Sequence, residues 1–335
     1  MNDNDQPILI CLTPMKNEAW VLERFLQCAS VWADHIIIAD QCSEDGSREI
    51  ALRSPKVTLV DNASPHYDEG ERQRLLLEVA RRIPGKRILI ALDADEMLTA
   101  NWHGSVEWQR VREAKPGTVL TFQWVNVMPD FRQGWLQDDL PLGFVDDESE
   151  HRGQSIHSTR IPAPSEAPRL RLDEIKVLHY QFTDWERMKS KQRWYQCWER
   201  IHHPAKRAVT IYRQYHHMDA IPADRLRPLQ PEWLDGYMQT GIDMTTVRRE
   251  EYYRWDRDVA QWLAEQGPEK FRKCDIWEVD WDMIARGFGM EPPRSLADPR
   301  TPFEQRVHRW LHRTQGTSLD QSVRLRQRLL RLLGW

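Results

Sequence analysis

The chain has few cysteines, and their spacing matches no common cross-link. Five cysteines are an odd number, and no two of them form a Cys-x-x-Cys pair, which argues against a disulfide framework and a zinc ribbon. The apolar runs are also short, because none approaches the roughly 20 residues that span a bilayer. The first five residues, MNDND, are polar and acidic where a signal peptide is basic. We therefore expect a cytoplasmic protein in a reducing compartment.

The chain also lacks an excess of positive charge and a glycine-rich phosphate loop. Its formal net charge is −4 and its isoelectric point is near 6.3, so we expect no nucleic-acid partner. No Gly-x-Gly-x-x-Gly motif opens the first predicted helix, which argues against a dinucleotide-dependent dehydrogenase. The last 36 residues differ from the rest, because they hold eight Arg against one Asp and one Glu.

Short apolar runs alternate with helical patterns over the first hundred residues. The runs occupy residues 8–13, 35–39, 57–60 and 87–92, and helical spacing occurs at residues 18–33, after Ser47 and at 69–82. This alternation predicts an α/β fold with a mostly parallel sheet flanked by helices. Ligands bind such sheets at the carboxyl ends of the strands. Asp40, Asp61 and Asp93 are therefore predicted to share that edge.

The pattern changes beyond residue 117. Separate strands are predicted at residues 118–127, 155–161 and 175–182, followed by a helical stretch at 183–217. Prolines at positions 222, 228 and 231 indicate a boundary. We predict a first domain of residues 1–220, a helical accessory region of residues 221–295, and basic amphipathic helices in residues 296–335.

The last predicted helix begins near Ser318, which with Gln321 fits a capping box. Its residues are predicted to form an apolar face and a basic face: Leu319, Val323, Leu330 and Leu333 on the first, and Arg324, Arg328 and Arg331 on the second. Two interpretations stay open. Residues 318–335 could make a peripheral contact with an anionic membrane surface, or the apolar face could dock on the protein's own core or on a partner subunit.

The most informative segment is the apolar run that ends in Asp93-Ala94-Asp95-Glu96. Two carboxylates one residue apart at a strand tip repel each other, and they keep their charge only where a cation or hydrogen-bond donors compensate it. A Mg²⁺ or Mn²⁺ ion held in this way retains coordination positions for phosphate oxygens. The segment therefore predicts a metal site for a diphosphate. The alternative is that these carboxylates only solvate a strand end and start a helix.

Three further motifs accompany this segment in a fixed order. Pro14-Met15-Lys16-Asn17-Glu18 follows the first strand, Asp40 is followed by Ser43-Glu44-Asp45-Gly46-Ser47, and Val177-Leu178-His179-Tyr180 lies downstream. In this order the chain resembles the family 2 glycosyltransferases, and in particular the branch with the lipopolysaccharide-core β-glycosyltransferases. A basic helix after the Leu-His-Tyr strand adds to the likeness through Lys189, Lys191, Arg193 and Tyr195. The resemblance covers roughly residues 8–198.

The resemblance implies a GT-A fold for residues 1–220, with a nucleotide-binding sheet, and a helical C-terminal extension. It also implies a function, namely transfer of a sugar from a UDP-, GDP- or dTDP-sugar to a glycan or glycolipid acceptor, with inversion. Such a hexosyltransferase would depend on Mn²⁺ or Mg²⁺ and would serve polysaccharide or lipopolysaccharide biosynthesis.

The resemblance further implies roles for individual residues. The metal ligands would be Asp93, Asp95 and His179, although a histidine on a strand is often a structural core residue. The nucleotide and its diphosphate would contact Pro14, Lys16, Asn17, Glu18, Asp40, Arg72, Arg74, Asp93, Lys191 and Arg193. Arg72 and Arg74 could equally be solvated charges on their helix.

An inverting transfer also needs a base that takes the proton of the acceptor hydroxyl. Relatives show His-Glu about twenty residues before the Leu-His-Tyr strand, whereas this chain has His157-Ser158. The remaining candidates are Asp147, Glu148, His157 and Glu166. The first two lie in an acidic run that could simply be a solvated loop.

Two other classes of function compete with sugar transfer. A non-catalytic nucleotide-sugar-binding module would keep the fold without the base. A Mg²⁺-dependent nucleotidyltransferase or phosphohydrolase also uses aspartates at strand ends. The phosphohydrolase pattern needs Thr where this chain has Met97, and nucleotidyltransferases prefer a glycine-rich basic loop where this chain has Pro14-Met15-Lys16.

Overall fold

The computed structural model describes residues 6–63, 68–155 and 158–335. The chain divides into two compact units. The first contains the described residues up to Thr183 together with Arg227–Arg248, and the second contains Asp184–Leu226 and Arg249–Trp335. Within these described ranges, no helix is both long enough and apolar enough to cross a membrane.

In the described part of the chain, the first unit is built on a nine-stranded mixed sheet. Its strands are β1 (Ile8–Met15), β2 (His35–Asp40), β3 (Val57–Asp61), β4 (Arg87–Ala91), β5 (Glu96–Leu98), β6 (Val119–Val127), β7 (Gln133–Val145), β8 (Arg169–His179) and β9 (Arg227–Pro228). The order across the sheet is β3-β2-β1-β4-β7-β6-β8-β5, with β9 paired to β7.

The sheet is parallel only in its amino-terminal part. Strands β3, β2, β1 and β4 run parallel to one another, whereas β7 joins β4 in the antiparallel direction. Farther along, β6 pairs antiparallel with β7 and parallel with β8, and β5 pairs antiparallel with β8. The predicted α/β class with a helical C-terminal region is confirmed, and the sheet as a whole is mixed.

The helices are α1 (Leu22–Trp32), α2 (Ser47–Leu52), α3 (Glu69–Ala80), α4 (Val106–Glu113), α5 (Trp185–His202), α6 (Ala208–Tyr215), α7 (Asp235–Gln239), α8 (Arg254–Gln266), α9 (Pro268–Phe271), α10 (Trp281–Gly287), α11 (Pro302–Arg313) and α12 (Gln321–Leu332). Helices α5, α6 and α8 to α12 belong to the second unit.

Strand β1 explains why the apolar runs of the sequence are continuous. Leu9 and Cys11 belong to the core that contains the buried face of α1, whereas Ile10 and Leu12 belong to the core that contains the buried face of α3. Successive side chains of a strand point to opposite faces of the sheet. A strand covered by helices on both faces must therefore be apolar at nearly every position.

The predicted strand at residues 155–161 is wrong, because its described residues have no regular structure. Their backbone groups bind side chains of α3 instead of a neighbouring strand. The Ser158 N–H donates to a Glu69 carboxylate oxygen at 2.8 Å, and the Thr159 carbonyl accepts from Gln73 at 2.8 Å. This segment therefore lies on α3 rather than in the sheet.

The boundary between the units differs from the predicted one at residue 220. Trp194 and Cys197 of α5 pack with Val259 and Leu263 of α8 in one core of the second unit. Apolar contacts between α5 and α8 thus place residues 184–226 with the C-terminal helices. Only Arg227–Arg248 of the predicted accessory region belongs to the first unit.

The start of α12 also differs from the prediction. The residue before the helix is Asp320, and no side chain caps the helix. The capping box predicted from Ser318 and Gln321 is therefore wrong. Val323 and Leu330 lie against the protein, whereas Leu319 and Leu333 are exposed, so the four do not share one buried face.

Candidate functional site

The carboxyl ends of the parallel strands bring several predicted site residues to one edge of the sheet. Asp40 ends β2, where it lies in register with Met15 of β1 and Asp61 of β3. The Leu92 N–H donates to the Leu12 carbonyl at 3.0 Å, which places Asp93 directly beyond the end of β4. The edge predicted from the apolar runs therefore carries Asp40, Asp61 and Asp93.

Strand β5 brings the acidic motif together with His179. Glu96 lies opposite His179 in the antiparallel pairing of β5 with β8, and the Tyr180 N–H donates to the Asp95 carbonyl at 2.8 Å. Ligand atoms of Asp95, Glu96 and His179 all lie within 4.8 Å of one another. These three residues could hold a metal ion. Asp93 is not in this group, although it was predicted as a ligand.

The tautomer of His179 is set by Asn126 on the neighbouring strand β6. The Nδ1 atom of His179 lies 2.7 Å from Oδ1 of Asn126, while Nδ2 of Asn126 donates to Gln137 at 3.3 Å. Because Oδ1 can only accept, Nδ1 must carry the proton. In the neutral ring the lone pair then lies on Nε2, which is 3.7 Å from Oδ2 of Asp95. This is the arrangement of a histidine that binds a metal.

The His179 ring is also held by packing. It stacks on Trp124 with ring centroids 4.5 Å apart and an angle of 19° between the planes. The ring is therefore fixed by a hydrogen bond at one nitrogen and by an indole against its face. The donor set of one imidazole and two carboxylates suits a divalent ion such as Mn²⁺.

Arg160 is a charged residue of the site that the sequence did not indicate. Its guanidinium donates to Asp93 at 2.7 Å and to Glu96 at 2.7 Å, and its Cζ lies 5.3 Å from the centroid of the Trp124 ring. Burial raises the pKa of Glu96 to about 8, although Arg160 opposes this shift. One arginine thus faces three carboxylates at this strand tip.

A cavity of about 380 Å³ opens beside Asp93. Its walls include three of the predicted nucleotide contacts, Pro14, Arg72 and Asp93, together with Trp124 and Arg160. The size falls within the range of small-ligand sites. Among its described lining residues, the carboxylates are Asp93 and Glu69.

The loop after β1 and the loop after β2 hold each other. The Asn17 and Glu18 N–H groups donate to the hydroxyls of Ser43 and Ser47, each at 2.8 Å. In return, Oδ1 of Asn17 accepts from the Glu44 N–H at 2.8 Å. Asn17 has a φ of 57°, in the left-handed region that asparagine tolerates better than most residues. These hydrogen bonds join the two loops to each other, and nucleotide binding by Lys16, Asn17 and Glu18 stays a prediction.

Asp40 is buried and bonded within the protein. Its carboxylate accepts from Arg48 and from the Ser43 N–H, and Arg48 also pairs with Asp61 at 2.8 Å. Arg48 therefore bridges the two carboxylates at the ends of β2 and β3 and offsets part of their charge. Contact of Asp40 with a nucleotide stays a prediction.

The predicted basic residues do not gather at one place. Arg72 lines the cavity beside Asp93, whereas Arg74 lines a different cavity with Asp61. Arg193 is buried in the second unit, where it pairs with Asp256 at 2.9 Å and Glu278 at 2.8 Å. In the same unit, the Lys191 ammonium lies 5.8 Å from the centroid of the Trp255 ring.

The base candidates Asp147 and Glu148 lie at the opposite edge of the sheet. Strand β7 runs antiparallel to β4, and its last residue, Val145, is in register with Ile88 near the amino end of β4. Residues that follow β7 are therefore separated from Asp93 by the length of β4, roughly 17 Å for five residues. Glu148 pairs there with Arg87 at 2.9 Å. The structure does not bring these two carboxylates to the metal group.

The two remaining candidates for the base are His157 and Glu166. His157 lies outside the described residues. Glu166 is exposed and accepts from the Ser165 hydroxyl at 2.7 Å. The carboxylate that sequence reasoning missed is Glu69, which begins α3 and lines the cavity.

No protein-family model matches the chain, and no curated protein matches it. Among solved structures, it is similar to glucosyl-3-phosphoglycerate synthase from Mycobacterium tuberculosis in complex with Mg²⁺ and UDP, at 21% identity and a TM-score of 0.22. That match covers 27% of this chain and 34% of the synthase chain, so it spans about a third of that protein's length.

Two further solved structures illustrate the range of the matches. GalNAc-T7 with UDP, GalNAc and Mn²⁺ matches at 12% identity and a TM-score of 0.34, over 79% of this chain and 59% of that chain. A 4-diphosphocytidyl-2C-methyl-D-erythritol synthase matches at 13% identity and a TM-score of 0.28, over 42% of this chain and 75% of that chain. These are distant structural similarities to transferases, and at such scores they do not establish a shared activity.

Proposed function

We propose that the first unit binds a nucleoside-diphosphate sugar together with Mn²⁺ or Mg²⁺ and transfers the sugar to a glycan or glycolipid acceptor. One observation carries this proposal. The ligand atoms of Asp95, Glu96 and His179 lie within 4.8 Å of one another, at the strand edge where α/β sheets bind ligands. The 380 Å³ cavity lined by Asp93 opens at the same edge.

The metal would be held by Asp95 and by Nε2 of His179, with Glu96 or Asp93 as a further carboxylate. When bound, a divalent ion neutralises the charge that develops on the leaving diphosphate, which lowers the barrier by several kcal/mol. Asn126 keeps the lone pair of His179 on Nε2. Arg72 and Arg160 supply positive charge on the cavity wall.

The donor would be a UDP-, GDP- or dTDP-sugar. We assign the base and ribose to the loop of Pro14, Lys16, Asn17 and Glu18 and to Asp40, as the family resemblance implies. Membership of the family 2 glycosyltransferases and of the lipopolysaccharide-core branch, with its GT-A fold, is part of this proposal. It rests on the ordered motifs of the sequence.

We further propose that the transfer inverts the anomeric centre and that Glu69 or His157 removes the acceptor proton. Glu69 is favoured over Asp147 and Glu148 because it lines the cavity, whereas those two follow the far end of β7. The base must lie within hydrogen-bond reach of the acceptor hydroxyl. A Glu69→Gln variant should therefore bind the donor normally and lose transfer.

A second candidate function is binding of a nucleotide sugar without transfer. It is favoured by the hydrogen bonds that already engage both carboxylates of the cavity. Asp93 accepts from Arg160 at 2.7 Å, and Glu69 accepts from the Ser158 N–H at 2.8 Å. Such a module would bind Mn²⁺ and donor but would neither transfer nor hydrolyse it.

The test is a thermal-shift screen of UDP, GDP and dTDP, each with Mn²⁺, with Mg²⁺ and with EDTA. We expect one nucleotide to raise the melting temperature only when the metal is present. Slow hydrolysis of the matching nucleotide sugar would then separate an enzyme from a binding module. Turnover of a nucleoside triphosphate and a sugar phosphate would instead favour a nucleotidyltransferase. The absence of any shift with all three diphosphates would contradict both proposals.

A further inference from the structure

Helix α12 of the second unit has two apolar faces rather than one. The inner face is formed by Val323, Gln327 and Leu330. Val323 is 7% exposed and Gln327 is 6% exposed, and Leu330 packs on the core that contains Val209 and Trp335. This face docks the helix on its own unit, although Leu319 and Leu333 of the predicted apolar face are exposed.

The outer face consists of leucines that no part of the described chain covers. Their exposed fractions are 60% for Leu325, 54% for Leu329, 83% for Leu332 and 66% for Leu333. An α-helix turns through about 100° per residue, so the four side chains fall within an arc of about 100°. A continuous patch of large exposed leucines indicates a surface that binds something.

The charged side chains of α12 itself are all positive. Arg324, Arg328 and Arg331 lie along one border of the leucine arc, and Arg326 lies along the other. From Gln321 to Trp335 the sequence contains no Asp or Glu. Within the described residues, none of the four arginines belongs to an ion pair with a carboxylate at 4.0 Å or less.

We propose that the outer face of α12 docks on an anionic lipid bilayer. The leucines would enter the boundary between head groups and acyl chains, and the arginines would reach the lipid phosphates along both borders. Because α12 has 12 residues, it is too short to cross the hydrocarbon core and would lie in the plane of the interface. The inner face keeps it attached to the second unit.

A second copy of this chain is a poorer occupant of the same surface. A symmetric contact would place the four arginines of one α12 beside the four of the other, and like charges across an interface are repulsive. A bilayer that contains anionic lipids matches both the leucines and the arginines. This inference does not depend on the proposed nucleotide site, since α12 belongs to the second unit.

The experiment is co-sedimentation of the full chain with vesicles of phosphatidylglycerol and phosphatidylcholine in equal amounts, compared with pure phosphatidylcholine. We expect binding to the anionic vesicles that weakens as the salt concentration rises. A Leu329→Glu, Leu332→Glu double variant should reduce this binding about tenfold or more. An Arg324→Gln, Arg328→Gln double variant should reduce binding and flatten its salt dependence.

The matched control is Met283→Glu, because Met283 is an exposed apolar residue of the same unit on α10, with 50% of its surface exposed. It should bind vesicles like the wild type. Unchanged circular dichroism and melting temperature would show that each variant folds. Sedimentation velocity would show whether the leucine variant alters self-association.

Three outcomes would overturn the proposal. The first is a wild-type chain that stays in the supernatant with anionic vesicles at low salt. The second is vesicle binding that the leucine variant leaves intact. The third is a wild-type dimer that this variant dissociates while neither protein binds vesicles, which would assign the surface to a second copy.

Discussion

Each unit places histidine beside a carboxylate and an arginine, but the two clusters differ in charge balance. The strand-tip cluster of the first unit consists of Asp93, Asp95, Glu96, His179 and Arg160, so three carboxylates face one arginine. The Asp275 cluster of the second unit consists of Asp275, His216, His308 and Arg300. There, the Asp275 carboxylate faces two imidazoles and one guanidinium, and Arg300 also pairs with Asp298 at 2.9 Å.

The pKa values of Glu96 and Asp275 reflect this difference in charge balance. In the strand-tip cluster, burial raises the pKa of Glu96 to about 8. In the Asp275 cluster, burial works in the same direction, but His216, His308 and Arg300 lower the pKa of Asp275 to about 2. Asp275 also raises the pKa of His216 against the effect of burial. The second cluster is therefore neutralised by its own residues.

The comparison indicates which cluster has carboxylates that its own residues do not balance. Compensated carboxylates stabilise a fold without any ligand, whereas carboxylates in excess create a demand for positive charge. Among the described residues, the three-residue group with metal-binding geometry is Asp95, Glu96 and His179. We therefore interpret the strand-tip cluster as functional and the Asp275 cluster as structural.

The largest expected effect comes from Asp95→Ala. Loss of this ligand should abolish the Mn²⁺-dependent rise in melting temperature and reduce sugar transfer roughly 100-fold or more, because the leaving diphosphate loses its metal. Melting curves with and without Mn²⁺, and initial rates, measure the two effects. In contrast, Asp275→Ala should keep the Mn²⁺ response. An equal loss of that response in both variants would remove the distinction between the clusters.

The next effect is on stability, in Asp275→Asn. The neutral side chain leaves His216 without its carboxylate and Arg300 with Asp298 alone, so we expect the free energy of unfolding to fall by about 3 kcal/mol at pH 7. Urea denaturation measures this value.

The same residue predicts a pH dependence. The pKa of Asp275 is lowered by folding from 3.8 to about 2, so the folded state binds this proton less readily than the unfolded state. Its contribution to stability is complete above about pH 4 and is lost as the pH falls toward 2. Asp275→Asn should lack this part of the decline. Parallel stability curves for variant and wild type between pH 5 and pH 2 would contradict the assignment.

A smaller effect is expected from Asn126→Leu, which removes the acceptor for Nδ1 of His179. Without it the ring can adopt the other tautomer, so we expect Mn²⁺ affinity to fall about tenfold to 100-fold. Titration calorimetry with Mn²⁺ measures the affinity. Gln109→Leu is the control, because that amide donates to Glu113 in an exposed pair on α4. An unchanged affinity in Asn126→Leu would show that this hydrogen bond does not set the tautomer.

The smallest effect is expected from Arg160→Met. Removal of the cation that pairs with Asp93 and Glu96 should make Mn²⁺ bind about tenfold more tightly, because the metal then meets uncompensated carboxylates. The apoprotein should be less stable for the same reason. Arg171→Met is the matched control, since Arg171 pairs with Asp139 at the surface. Weaker Mn²⁺ binding in Arg160→Met would show that Arg160 supports the metal site instead of opposing it.

Much of the strand-tip cluster could be predicted from local patterns. The apolar runs predicted β1, β2 and β4 and therefore the edge that carries Asp40, Asp61 and Asp93. The family resemblance, rather than a local pattern, implied that His179 belongs with the acidic segment, and the two lie together in the pairing of β5 with β8. The strand predictions succeed because apolar runs that alternate with helical patterns indicate parallel strands with helices on both faces.

Other features depend on contacts between distant parts of the chain. Arg160 lies 64 residues from Glu96, in a segment that the pattern predicted as a strand. Asn126 lies 53 residues from His179. No sequence pattern around either residue indicates a role in the site, since an isolated Arg or Asn is most often a solvated side chain.

The sequence by itself thus determined the α/β class, the parallel amino-terminal strands and the position of the acidic motif at their carboxyl ends, because periodicity and strand tips are local properties. Only the tertiary structure decided which carboxylates join His179, that Asp147 and Glu148 follow β7 to the opposite edge, and which face of α12 is covered. The physical reason is that pairing, register and burial depend on how elements far apart in the chain pack together. No local pattern contains that information.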